Sequence, residues 1–178
     1  TSPARMAFEI AKAEGSLLYD VNGKEYIDLI GGISVANVGH RHPKVIEAIK
    51  EQLDAYLHVM VYGEFIESPQ VQYAKLLTDH LPATLNSVYF TNSGTEATEG
   101  AMKLAKRVSG RTQIIAFSNA YHGSTQGALS VIGDEYWRNA FRPLLPDVLH
   151  PEYNSYDSLI EITERTACVI AETVQGEA

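Results

Sequence analysis

The hydrophobic pattern of the first 85 residues predicts a β-hairpin followed by two helices. Strand-like runs at 16–20 and 24–29 flank the segment Val21-Asn22-Gly23, and Asn-Gly supplies the positive φ angles that a tight hairpin turn needs. Apolar side chains then recur every three or four residues, which predicts a helix over 42–57: Val45, Ile46, Ile49, Leu53 and Leu57. A further helix is predicted from 69 to about 81, ending before Pro82.

Beyond residue 85 the pattern changes to alternating strands and helices. Strands are predicted at 87–91, 113–117, 147–150 and 168–172, with helical segments at 95–109, 124–132 and 155–165 between them. Such alternation predicts an α/β fold, a mainly parallel sheet with helices on both faces, whose ligands bind at the carboxyl ends of the strands. We divide the chain into an N-terminal hairpin and helix segment, 1–60, and an α/β region, 61–178.

Composition narrows the classes of partner. Acidic residues outnumber basic ones 22 to 14, for a net charge of −8, so neither nucleic acid nor an anionic membrane is expected to bind. The single cysteine, Cys168, excludes an intrachain disulfide and favours a reducing cytoplasm; we expect a buried, inert thiol. His40 and His42 lack a third ligand nearby, so no metal site is predicted.

The segment Ser93-Gly94-Thr95 is the first candidate binding element. It follows a predicted strand and opens a predicted helix, where unpaired backbone N–H groups and the helix dipole attract an anion. Gly94 allows close approach of a phosphate, and the two hydroxyls add donors. The alternative is an ordinary helix cap, because a Ser or Thr followed three residues later by Glu begins many helices.

Two further predicted strand ends carry candidate site residues. Tyr121-His122-Gly123 follows strand 113–117, and an aromatic ring at the mouth of a parallel sheet can stack on a planar cofactor. Glu172 ends the predicted strand 168–172. Burying a carboxylate there costs free energy unless another group pairs with it or donates a hydrogen bond to it. The alternatives are a half-buried loop aromatic and an ordinary exposed acid. All three segments are expected at one edge of one sheet.

Together these segments resemble the class III aminotransferases, which are pyridoxal-phosphate enzymes of fold type I. The resemblance rests on Asn92-Ser93-Gly94-Thr95-Glu96-Ala97, on Tyr121-His122-Gly123 and on Glu172-Thr173-Val174-Gln175-Gly176-Glu177, in this order and spacing. The segment 31–43 is similar to the acetylornithine/ornithine branch. By this resemblance, 1–60 is part of the small domain and 61–178 is the first part of the large cofactor-binding domain, with an incomplete sheet.

The resemblance implies a role for each matching residue. Ser93, Gly94 and Thr95 would hold the phosphate of pyridoxal 5'-phosphate, and Tyr121 would stack on its pyridine ring. His122 and Gly123 would shape that loop, and Glu172 would lie near the ring. Glu177 resembles an acid that pairs with a substrate-binding arginine in several members of the family.

The resemblance further implies a transaminase that moves an amino group from an ω-amino acid or amine to a 2-oxo acid, within a homodimer. Ile33 stands where ornithine enzymes tend to carry a tyrosine. Ser124 stands where acetylornithine and ornithine enzymes usually place an arginine, which clamps the substrate α-carboxylate in a bidentate manner. Serine cannot form that clamp, so the residues leave the identity of the amino donor open.

Two groups essential to pyridoxal chemistry have no counterpart in the chain. The Schiff-base lysine and the aspartate at the pyridine nitrogen are expected in a segment past Ala178, and none of the seven lysines is a good substitute. The alternative to a transaminase is therefore a catalytically incompetent N-terminal fragment that binds only phosphate or a partner. A nucleotide-binding enzyme is disfavoured, because no Gly-x-Gly-x-x-Gly or P-loop pattern occurs.

Overall fold

A computed structural model of the protein describes residues 7–60 and 63–176. The chain divides into two compact units, Thr1–Tyr73 and Ala74–Ala178. Within the described residues no helix has the length and apolar character needed to cross a bilayer.

The first unit contains a three-stranded antiparallel sheet in the order β1-β2-β3, formed by Ile10–Glu14, Leu17–Asp20 and Glu25–Ile27. The pairing of β2 with β3 confirms the predicted hairpin, whereas β1 was not predicted. Asp20 stabilises the turn, because its Oδ1 accepts hydrogen bonds of 2.9 Å from the N–H groups of both Asn22 and Lys24. Gly23 has the positive φ of 79° that the turn requires.

Two longer helices confirm the predictions for this part of the chain. A short turn, α1 (Gly31–Ser34), precedes α2 (Pro43–Ala55), in which Pro43 occupies the first turn, where its missing N–H costs no hydrogen bond. The helix α3 (Ser68–Asp79) contains the division between the two units. The apolar stripe of α2 is largely exposed, at Val45, Ile49 and Leu53.

The second unit contains a parallel sheet of three strands in the order β5-β4-β6, formed by Val148–Leu149, Gln113–Ala116 and Thr166–Ile170. Three α-helices are associated with it: α4 (Gly94–Ser109), α5 (Gln126–Ser130) and α6 (Glu135–Arg138). The parallel pairing confirms the α/β prediction. Gly110 ends α4 in the left-handed conformation, at φ 68°.

Two predicted elements were wrong. Residues 87–91 form no strand, because within the described residues no neighbouring strand pairs with them, and a strand exists only through such pairing. The predicted helix at 155–165 is a short 3-10 segment, Tyr156–Glu161. The hydroxyl of Ser158 donates to the carbonyl of Glu152 at 2.7 Å, and such local side-chain bonds compete with a regular helix.

The core of the second unit lies between α4 and the sheet. Met102 of α4 packs with Ile114 and Ala116 of β4 and with Val131, all of them almost fully buried. Cys168 packs partly buried against this cluster, and burial raises the pKa of its thiol. This packing anchors α4 to the sheet and places the start of α4 near the loop that follows β4.

Candidate functional site

The start of α4 leaves backbone donors without partners. Ser93 caps the helix, since its hydroxyl accepts a hydrogen bond from the N–H of Glu96 at 3.3 Å, and the Glu96 carboxylate accepts one from the N–H of Asn92 at 2.9 Å. The N–H groups of Gly94 and Thr95 have no acceptor among residues 7–60 and 63–176. Together with the helix dipole, these two groups form an anion-binding site.

The loop after β4 packs directly on this helix start. Gly123 is buried and has a φ of 122°, and a Cβ at that position would lie 2.8 Å from the Cα of Thr95. The hydroxyl of Thr98 donates to the carbonyl of His122 at 2.9 Å. These contacts bring two of the predicted segments, Ser93-Gly94-Thr95 and Tyr121-His122-Gly123, to one place.

A cleft of about 510 Å³ lies between these two segments. Tyr121 is 48% exposed, and its hydroxyl lies 3.2 Å from the Oγ of Ser124. Besides Thr98, the cleft is lined by six of the residues predicted for the site: Gly94, Thr95, Tyr121, His122, Gly123 and Ser124.

His122, which is among the residues that line the cleft, has an unpaired ring nitrogen. Its Nε2 is buried and has no hydrogen-bond partner in the part of the chain that the structure describes. Burial lowers the pKa of the imidazole, and the charge of Glu172 opposes this shift. His122 is therefore neutral at pH 7 and has hydrogen-bonding capacity that the protein does not use.

Glu172 connects the ends of β4 and β6. Its Oε2 accepts a hydrogen bond from the N–H of Tyr121 at 3.2 Å, and its Oε1 accepts one from the N–H of Gly176 at 3.2 Å. The side chain of Gln175 donates to the carbonyl of Ser118 at 2.7 Å, which joins the same two strand ends. The carboxylate thus has the partners that its position after a strand requires.

Ile33 and Glu177, which were also predicted for the site, are not part of the described second unit. Ile33 belongs to the first unit, where it is exposed and has the dihedral angles φ 60° and ψ 62°. A positive φ is unfavourable for a β-branched residue. Glu177 lies outside the described residues. The roles of both residues in substrate binding stay predictions.

Sequence reasoning missed Glu99 and Thr125. The Oε1 of Glu99 accepts hydrogen bonds from the hydroxyl of Thr125 at 2.6 Å and from the N–H groups of Gly127 and Ala128 at 2.9 and 3.1 Å. Thr125 in turn contacts Thr95, with 2.8 Å between their hydroxyl oxygens. The spacing of Thr95 and Glu99 by four residues, which places them on one helix face, was the available signal.

The cleft fits pyridoxal phosphate. Free N–H groups at the start of α4 suit the phosphate, and the position of a Cβ on Gly94 has no protein atom within 4 Å. The half-exposed ring of Tyr121 suits a planar pyridine ring. None of the three lysines of the second unit is among the residues that line the cleft: Lys75, Lys103 and Lys106.

Comparison with known proteins gives consistent results. Residues 2–178 match the family Aminotransferase class-III. Acetylornithine aminotransferase of Methanopyrus kandleri is 43% identical over 178 residues, which cover 98% of this chain and 45% of that enzyme. The chain therefore spans about half the length of the curated relatives that it matches.

Solved structures show the same relationship. Adenosylmethionine-8-amino-7-oxononanoate aminotransferase from Methanocaldococcus jannaschii has a TM-score of 0.84 and 33% identity, covering 93% of this chain and 41% of that one. Ornithine aminotransferase from Toxoplasma gondii, whose structure has pyridoxal phosphate at partial occupancy, has a TM-score of 0.80 and 26% identity, covering 99% and 43%. The match over residues 2–178, together with relatives above 40% identity, shows that this chain belongs to the class III aminotransferase family.

Proposed function

We propose that the complete protein containing this chain is a pyridoxal-phosphate-dependent transaminase. It transfers an amino group from an ω-amino acid or amine to a 2-oxo acid. The observation that carries this proposal is the cleft in which the free N–H groups of Gly94 and Thr95 lie beside the exposed ring of Tyr121, in a class III chain. Membership of this family and the solved relatives both indicate pyridoxal phosphate as the cofactor.

Each element of the cleft has a distinct part in holding that cofactor. The phosphate binds to the backbone N–H groups of Gly94 and Thr95, with the hydroxyl of Ser93 as a further donor. The ring of Tyr121 stacks on the pyridine ring and fixes its plane. When bound, the cofactor supplies an electron sink that labilises bonds at the amino-bearing carbon of the donor.

Glu172 keeps Tyr121 in position and adds negative charge beside the ring. Its carboxylate accepts a hydrogen bond of 3.2 Å from the backbone N–H of Tyr121, which holds the backbone that carries the aromatic ring. The imidazole of His122, which is on the same loop as Tyr121, is neutral and therefore does not offset the negative charge of Glu172. These two residues therefore position the cofactor ring and set its electrostatic surroundings.

The substrate class follows from Ser124 and Ile33. The hydroxyl of Ser124 is already within 3.2 Å of the Tyr121 hydroxyl and offers no bidentate contact to a carboxylate. An apolar residue at position 33 likewise lacks a group for an ionised substrate. The proposed donors are therefore those whose reacting amine is distant from a carboxylate, or that have no carboxylate. Glu177 would pair with a substrate-binding arginine elsewhere in the complete protein, and that arginine would bind the carboxylate of the acceptor.

A homodimer and a cytoplasmic location belong to the same proposal. The single, half-buried Cys168 supports a reducing compartment. The alternative, a chain that binds phosphate or a partner without catalysis, is favoured by the absence of Lys75, Lys103 and Lys106 from the residues that line the cleft.

Reduction with borohydride in the presence of pyridoxal phosphate separates these two possibilities. The complete protein is expected to carry cofactor on one lysine after reduction and digestion, and to transaminate a 2-oxo acid with amine donors. The 178 residues alone are expected to carry cofactor on none of their seven lysines. Unlabelled and inactive complete protein would overturn the transaminase proposal.

A donor panel with the Ser124→Arg variant tests the substrate class. The added guanidinium is expected to shift preference toward donors with an α-carboxylate, because it supplies the bidentate partner that serine lacks. An unchanged ranking of donors would contradict the assigned role of residue 124. The Ser124→Ala variant is the control for simple loss of the hydroxyl.

A further inference from the structure

Glu99 lies one helical turn beyond the phosphate-binding turn and collects three donors on one oxygen. The Oε1 of Glu99 accepts from the hydroxyl of Thr125 at 2.6 Å and from two backbone N–H groups at the start of α5. A carboxylate at a helix start satisfies N–H groups that the helix itself leaves unpaired. Glu99 therefore fixes the start of α5 against α4.

The direction of the hydrogen bonds follows from the number of protons available. A hydroxyl carries one proton, and that of Thr125 is used toward Glu99, because a carboxylate only accepts. The contact of 2.8 Å between the hydroxyls of Thr95 and Thr125 must then use the proton of Thr95. The backbone N–H of Thr125 also donates to the Thr95 oxygen, at 3.2 Å. The Thr95 hydroxyl is thus held on the side of α5.

We propose that Glu99 is a positioning residue for the cofactor phosphate, acting through Thr125 on Thr95. This inference rests on the proposed function and names a residue that does not line the cleft. With its hydroxyl engaged by Thr125, Thr95 meets the phosphate through its backbone N–H alone. The relay from Glu99 through Thr125 fixes the first turn of α4 and so fixes the direction of that N–H group.

Close packing around the relay supports a specific position for Glu99. A Cβ on Gly127 would lie 2.6 Å from the Oε1 of Glu99 and 2.7 Å from its carboxyl carbon, so a side chain at position 127 would make the carboxylate shift from its present place at the start of α5. Gly123, two residues before Thr125 in the same loop, makes a similarly close contact with Thr95. Thr95 is therefore held by this loop at two positions, and Glu99 acts on one of them.

The test compares two ligands that differ only in the phosphate. The apo form of the complete protein is titrated with pyridoxal phosphate and with pyridoxal. The dissociation constant of pyridoxal divided by that of pyridoxal phosphate measures the contribution of the phosphate-binding turn. In Glu99→Ala and Thr125→Val this ratio is expected to fall about tenfold, the lower end of what outer-shell partners of a bound ion contribute. The affinity for pyridoxal itself is expected to stay the same.

Thr125→Ser is expected to restore the ratio, because serine keeps the hydroxyl that connects Glu99 with Thr95. Thr112→Val is the matched control, since the Thr112 hydroxyl donates to the carboxylate of Asp147 at 2.7 Å outside the cleft. This variant is expected to leave the ratio unchanged. The pair of Thr125 variants carries the test if Glu99→Ala does not fold.

An unchanged ratio in Thr125→Val, or a loss in Thr125→Ser as large as in Thr125→Val, would overturn the inference alone. Failure of the unsubstituted protein to bind pyridoxal phosphate would overturn the proposed function, and the inference with it. A loss of affinity that is equal for both ligands would also overturn the inference, because it would show a general effect on the fold.

Discussion

Gly123 packs against Thr95 so closely that no side chain fits between them. A Cβ at position 123 would lie 2.8 Å from the Cα of Thr95, and the φ of Gly123 is 122°, a conformation that other residues rarely adopt. The contact joins the loop that carries Tyr121 to the helix start that carries the free N–H groups. The two halves of the candidate cofactor site therefore depend on one glycine.

Replacing Gly123 with alanine is expected to lower cofactor affinity by more than about tenfold, because the loop or the helix start must move to admit the methyl group. Equilibrium titration with pyridoxal phosphate measures this effect. Gly110→Ala is the control, since Gly110 also has a positive φ, 68°, but has no atom within 4 Å of the added Cβ. It should cost about 1 kcal/mol of stability and leave cofactor affinity unchanged.

Replacing Tyr121 tests the stacking role of its ring. Tyr121→Ala is expected to weaken binding of pyridoxal phosphate by about tenfold, which corresponds to a stacking contribution near 1.4 kcal/mol. Tyr121→Phe keeps the ring and loses only the contact of 3.2 Å with Ser124, so it should bind nearly as well as the original protein. Equal affinities for all three proteins would show that the ring does not stack on the cofactor.

Replacing Glu172 tests its connection of two strand ends. Glu172→Ala removes the acceptor for the N–H groups of Tyr121 and Gly176, and Glu172→Gln keeps one acceptor oxygen. Cofactor affinity should therefore decrease in the order Glu, Gln, Ala, by about 1–3 kcal/mol in the last case. The exposed Glu164→Gln is a control for loss of charge. A Gln variant as weak as Ala would mean that charge, rather than hydrogen bonding, is the main contribution.

The stability of the protein should fall in mild acid because of His150. Burial and the neighbouring Arg138 lower the pKa of His150 from 6.5 to about 4. Above pH 6.5 the imidazole is neutral in both the folded and the unfolded chain, so it has no effect there. Between pH 6.5 and about 4 only the unfolded chain gains the proton, which destabilises the fold by up to about 3 kcal/mol.

Urea unfolding at a series of pH values measures this dependence. His150→Gln should flatten the loss of stability between pH 6.5 and 4. The pKa of His122 is also lowered by burial, so a smaller dependence of the same sign should remain. If the free energy of unfolding changes equally with pH in the original protein and in His150→Gln, His150 is not the cause of the loss of stability.

Local signals in the sequence were enough to predict most elements and the segments of the site. Asn22-Gly23 predicts the turn between β2 and β3, and the hydrophobic pattern predicts a helix at 95–109; the structure has both features. The alternation of strands and helices predicts the parallel sheet of the second unit. These features depend on residues close in sequence, whose φ angles, capping bonds and hydrophobic spacing are set locally.

Features that depend on distant partners could not be predicted in this way. Residues 87–91 have the composition of a strand but form none in the described chain, since pairing needs a neighbour that local sequence cannot specify. The predicted helix at 155–165 failed for a different, local reason, because the hydroxyl of Ser158 donates to the carbonyl of Glu152, six residues earlier.

The sequence by itself determined the family, the start of α4 and the residue types of the candidate site. The tertiary structure alone decided how they connect: that Glu172 holds the N–H of Tyr121, that Gly123 packs on Thr95, and that Glu99 reaches Thr125. The physical reason is that hydrogen bonds and close packing between loops depend on distances across the fold, which no pattern of neighbouring residues records.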